Sequence, residues 1–135
     1  MAWLKTGLMI LMAIMYVALG INHFRNPDFY LNIMPLYIPN PLFWVQFTGV
    51  TEILGGAGLL IPATRRLAAW GIVLMLVGFF LVHVDMIIHA EDRFANIPYA
   101  LLWVRIPLQF LLIVWACRYM IPPKTDTSTQ HIAST

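Results

Sequence analysis

The sequence predicts an all-α fold, an integral membrane four-helix bundle with both termini in the cytoplasm. Three observations predict it. The 135 residues are 61% hydrophobic and only 10% charged, against about 25% charged in an ordinary soluble domain. Four apolar runs, roughly Trp3 to Phe24, Leu42 to Ile61, Leu67 to His89 and Pro98 to Ile121, each approach the ~20 residues that a helix needs to cross a hydrocarbon core. Lys and Arg concentrate on one side of those runs. The amino end, the second connection and the carboxyl end carry Lys5, Arg65, Arg66, Arg118 and Lys124, while the other side carries Arg25 and Arg93. Positive charge marks the cytoplasmic side.

Each run has its own logic. In the first, Lys5 precedes an apolar stretch, as in a signal peptide, but three further spans predict a retained helix. The second is closed by Pro62. The fourth opens on Pro98, where a missing N–H costs nothing. Between the first two lies a 25–41 loop holding Pro27, Pro35, Pro39 and Pro41 among Phe29, Tyr30, Tyr37 and other apolar residues. Two readings fit it: an aromatic interfacial anchor or a lid folded back over the bundle. One transmembrane domain, 1–123, is therefore followed by a polar Thr/Ser-rich tail, 124–135, whose composition predicts disorder.

Some functions are excluded early. A formal charge of +2 with no basic stripe argues against nucleic acid. Cys117 is the only cysteine, so no intramolecular disulfide or CxxC dithiol can form.

The polar residues inside the spans carry the functional signal. An ionisable side chain near the bilayer centre costs roughly 2.5–3.5 kcal/mol on insertion scales, so each asks for a partner. The ionisable candidates are Glu52, Arg105, His23, His83 and Asp85 as catalytic groups. His89, Asn22, Gln109, Trp103 and Tyr37 are the substrate-binding candidates. Counted from the span ends, the intramembrane ones fall in the outer half, away from the cytoplasm. Arg105 and Gln109 share a helix face, as do Asp85 and His89. His83 lies about 200° from Asp85 on the helix wheel, so the two point apart. Pro107 releases the carbonyl of Trp103. Thr48, Gly49, Gly55 and Gly56 flank Glu52 and let another backbone approach, which places Glu52 inside.

Three chemistries suit a carboxylate, an Arg and His in a dry pocket. The first is proton relay to a quinone or similar lipophilic redox molecule. The second is cofactor-free acid–base catalysis on an isoprenoid- or epoxide-like substrate, because burial retunes Glu and His. The third is metal or haem ligation, which the spacing of His83, Asp85 and His89 does not favour. Against all three stands a structural reading in which Glu52 and Arg105 neutralise each other and pin the bundle. The lipid bilayer is the expected partner, together with a lipophilic small molecule. Four short helices leave surface for a homodimer or a larger membrane complex, so a non-catalytic subunit is also a reading.

Several motifs resemble the DoxX-like membrane proteins: Gly20-Ile-Asn-His-Phe-Arg-Asn-Pro-Asp-Phe-Tyr, Met34-Pro-Leu-Tyr-Ile-Pro, Gly49-Val-Thr-Glu-Ile-Leu-Gly-Gly-Ala-Gly, Thr64-Arg-Arg-Leu-Ala-Ala-Trp-Gly and Leu102-Trp-Val-Arg-Ile-Pro-Leu-Gln. The resemblance covers nearly the whole chain apart from the tail. It implies a four-helix, multi-pass protein of a bacterial inner membrane and an association with quinone-linked redox systems. One departure stands out. Where the family pattern reads approximately Phe-Pro-Ala-Asn before a Met, this chain has Phe80-Leu81-Val82-His83, then Val84-Asp85-Met86. His83 replaces the Asn and Asp85 adds a carboxylate.

Overall fold

The computed structural model describes residues 1–122; the polar tail expected over 124–135 lies outside the described residues, with Lys124 and His131. Five helices follow in order: α1 (Ala2–Arg25), α2 (Pro27–Ile33), α3 (Pro41–Leu60), α4 (Arg65–Ile88) and α5 (Tyr99–Cys117). No strand occurs among the described residues.

Proline sets the boundaries. Pro27 and Pro41 occupy the first turns of α2 and α3, where their fixed φ suits a helix and no N–H is needed. Asn40 turns into α3 with φ 51°, a left-handed conformation that Asn tolerates better than most residues. At the far end of α3 two side chains reach back to its last carbonyls, which have no intrahelical partner. Thr64 Oγ1 donates to Gly58 O at 3.0 Å and Arg65 Nε to Leu59 O at 2.8 Å. These bonds fold the short 61–64 connection and start α4. α5 runs unbroken through Pro107.

The long helices pack as neighbours in chain order, each antiparallel to the last. α3 lies between α1 and α4, and α5 lies on the other side of α4. Their common core holds Met12, Tyr16, Leu59, Ile72, Leu76 and Ala116. Residues near both chain ends share that core, so α1 begins and α5 finishes at the same end of the molecule. The opposite end, the loop end, carries α2, residues 34–40 and residues 89–98. A second core of Met86, Phe94 and Leu102, with Ile33 of α2 against it, closes the loop end.

Three helices, α1, α4 and α5, are long and apolar enough to cross a membrane. The reading of Leu42–Ile61 as an equivalent span is thereby refined. α3 has the length, but Gln46, Thr48, Thr51, Glu52 and four glycines dilute its hydropathy. Its position explains the dilution, since two of its flanks face other helices. The outward faces remain apolar, with Leu11, Ile14, Leu54, Leu74, Leu108 and Leu111 all exposed.

α1 and α3 approach closely because two glycines allow it. A Cβ on Gly56 would stand 2.7 Å from the Ala13 carbonyl oxygen, and one on Gly49 would stand 2.7 Å from His23 Cβ. Helices in lipid gain their association energy from such intimate contact rather than from hydrophobic expulsion.

Candidate functional site

The α1–α3 contact positions a buried pair. His23 and Glu52 are both almost fully buried, and His23 Nδ1 lies 3.0 Å from Glu52 Oε2. The same Nδ1 lies 2.9 Å from the Leu19 carbonyl oxygen. A carbonyl only accepts, so Nδ1 carries the proton and neutral His23 keeps Nε2 as its acceptor. The Nδ1–H is aligned with the Leu19 carbonyl, and Glu52 Oε2 is left buried without an aligned hydrogen bond.

A second orphan sits beside it. The Tyr16 hydroxyl is buried with no partner. An unsatisfied buried polar atom costs about 1–3 kcal/mol, and here both Glu52 Oε2 and the Tyr16 hydroxyl lack an aligned partner.

α2 covers this pair. The Tyr30 ring stacks on the His23 ring with centroids 3.6 Å apart. Asn22 Nδ2 donates to Tyr30 Oη at 2.8 Å, and Asn26 Nδ2 donates to Asn22 Oδ1 at 2.8 Å. The 25–41 segment thus folds back over the end of α1. Its anchor is Arg93, whose Nη2 donates to the carbonyl oxygens of Asn32 at 3.2 Å and Met34 at 3.1 Å. Nη1 of the same guanidinium donates to Asp85 Oδ2 at 3.2 Å. His89 Nδ1 lies 3.2 Å from Asp85 Oδ1. Asp85 is buried, while both partners are partly exposed, so Asp85→Asn should destabilise the fold by about 1–2 kcal/mol, well under the cost of breaking a fully buried pair. Hydrogen exchange is the direct check: amides of 28–34 should exchange faster in this variant, while those of α4 and α5 hold.

The expected Glu52–Arg105 pair is not formed. α5 packs on α4 and leaves α3 beyond it, so Arg105 Nη1 meets Met86 Sδ at 3.8 Å instead. His83 Nε2 lies 3.3 Å from Gln109 Oε1, and Gln109 Nε2 donates to Leu76 O at 2.6 Å. The sequence candidates therefore divide into three groups. His23, Glu52 and Asn22 gather on α1–α3 under α2; His83, Gln109 and Arg105 lie on α4–α5; Asp85 and His89 lie at the end of α4. Trp103 and Tyr37 are exposed and join none of them. Among the described residues, no three His, Cys, Asp or Glu side chains converge as metal ligands.

Three residues of these groups escape the sequence reading. Tyr16 carries a legible signal, since Tyr16, Gly20 and His23 follow one helix face at spacings of four and three. Tyr30 and Arg93 act through chain reversals that no periodicity records.

An apolar groove of about 1020 Å³ runs along α3 and α4, from Met34, Ile38 and Trp44 past Thr48, Thr51 and Gly55 to Leu67. Thr48, Thr51 and Gly55 lie within one helical turn of Glu52. With this geometry in place the comparison with known families becomes specific. A family model described as a domain of unknown function, DUF8561, matches residues 12–120. The chain belongs to the DUF8561 family. The match takes in α1 from Met12 onward and the other four helices, including Tyr16, His23, Tyr30, Glu52, Arg93 and Arg105, and ends before the polar tail. No curated protein and no solved structure matches this DUF8561 chain.

Proposed function

We propose that this DUF8561 chain is a membrane oxidoreductase component that exchanges protons with a lipophilic redox molecule of the quinone class at His23 and Glu52. The observation that carries the reading is the buried His23–Glu52 pair, whose Glu52 Oε2 lacks an aligned hydrogen bond, with the Tyr16 hydroxyl buried and unpartnered as well. Reduction of a quinone by a separate electron-carrying membrane protein consumes two protons, one at each carbonyl oxygen. His23, once protonated at Nε2, and the carboxyl group of Glu52 can each deliver one proton to such an oxygen, and the Tyr16 phenol can donate a hydrogen bond to it. The α3–α4 groove suits an isoprenoid-like tail, and α2 with Tyr30 is the cover over the polar end.

The setting follows from the same residues. We read all four long helices as spanning, α3 included, as a multi-pass four-helix bundle with both termini cytoplasmic by the Lys and Arg count. The DoxX-like resemblance supports a bacterial inner membrane and a link to redox systems.

Titration with a decyl-substituted benzoquinone, read by quenching of the tryptophan fluorescence in uncharged detergent, tests the proposal. Wild type should quench saturably, and His23→Ala should bind at least tenfold more weakly. Equal quenching by the two proteins removes His23 from the site. If no saturable quenching occurs, cofactor-free acid–base chemistry at the same pair becomes the better reading.

A further inference from the structure

Arg105 lies on a helix apolar enough to cross a membrane, six residues beyond Tyr99, about 9 Å from the start of α5. A guanidinium keeps its charge at any accessible pH and offers five N–H donors. The side-chain partner it has is Met86 Sδ at 3.8 Å, a weak acceptor. Among the described residues no carboxylate stands at ion-pair distance. Glu52 is turned to α1, and Asp85 is occupied by Arg93 and His89. The neighbouring polar chain offers no negative charge either, because Gln109 is fixed between Leu76 O and His83.

Arg105 is only half-buried, and around it Leu101, Val104 and Leu108 are exposed. A lasting cation in this setting, with no carboxylate beside it among the described residues, is stabilised by an anion. We propose that Arg105 binds the oxyanion headgroup of an anionic amphiphile whose hydrocarbon chain lies along the exposed face of α5. Depth and surroundings select this ligand. Arg105 lies within reach of the headgroup level at the loop end, and a free inorganic anion would gain nothing from Leu101, Val104 and Leu108. This site is separate from the His23–Glu52 pair and stands whether or not that pair handles a quinone.

Native mass spectrometry of the chain released from uncharged detergent tests it, with dioleoylphosphatidylglycerol, oleate and dioleoylphosphatidylcholine as probes. Wild type should retain an anionic amphiphile, Arg105→Gln should bind it at least tenfold more weakly, and Arg105→Lys should keep most of the binding. Retention of phosphatidylglycerol alone assigns a lipid phosphodiester, and retention of oleate alone assigns a fatty-acid carboxylate. A companion measurement uses wild type only: its melting temperature should rise with the retained anion and not with phosphatidylcholine. Equal adducts on wild type and Arg105→Gln overturn the proposal. So does a wild-type dimer that Arg105→Gln dissolves without any lipid adduct, since the counter-ion is then a protein carboxylate.

Discussion

Replacing Gly56 with leucine should separate α1 from α3 and cost the fold about 3 kcal/mol or more. Overpacking a tight contact usually costs about 1–3 kcal/mol, because neighbours can shift. Here the obstacle is backbone. The added Cβ would meet the Ala13 carbonyl oxygen at 2.7 Å and the Val17 amide nitrogen at 3.0 Å, and neither can move without moving α1. Thermal unfolding in detergent, followed by helical circular dichroism, measures the loss. Gly71→Leu is the matched control, since a Cβ there meets nothing and the melting temperature should hardly change. Similar losses for both variants would mean that leucine in place of any helix glycine carries this cost, and that the α1–α3 contact is not its cause.

The second large effect separates function from stability. Glu52→Leu should leave the fold as stable as wild type or more so, while lowering proton exchange with a bound quinone by about 10²-fold or more. An ionisable group this deep costs roughly 2.5–3.5 kcal/mol to hold in a membrane, and one carboxylate oxygen has no aligned donor. A leucine removes that cost and keeps the volume. Steady-state quinone reduction with a chemical electron donor gives the rate, and thermal unfolding gives the stability. A melting temperature well below wild type would make the His23–Glu52 pair a structural pin, which is the rival reading of a buried ion pair.

The helices were legible from apolar run length and proline. The run ending near Ile61 became α3, Pro41–Leu60, and the run opening at Pro98 became α5, Tyr99–Cys117. α2 was hidden because seven residues between prolines are too few for a periodic pattern. Glu52 was recognisable as interior from the glycines around it, but its partner was not. Choosing His23 over Arg105 depends on which helix stands next to which, and run length says nothing about that. The glycines of α3 bear on it only together with Gly20 on α1, whose carbonyl faces Gly49. His83 and Asp85 could be told apart by their angle on the wheel, whereas Arg93 reaches Asp85 from a turn that has no repeat.

The depth of Glu52 has a consequence for bioenergetics. It lies eleven residues beyond Pro41, about 16 Å along a helix, which is about half of a 30 Å hydrocarbon core. With α3 across the bilayer, a proton reaching Glu52 from either face traverses about half of the transmembrane voltage. One charge moved through the full field is worth about 2.3 kcal/mol per 100 mV, so proton delivery to this carboxylate carries about 1 kcal/mol of electrical work at that potential. With α3 spanning and the pair exchanging protons as proposed, the membrane potential would throttle the site, slowing it or driving it according to the face from which the proton comes.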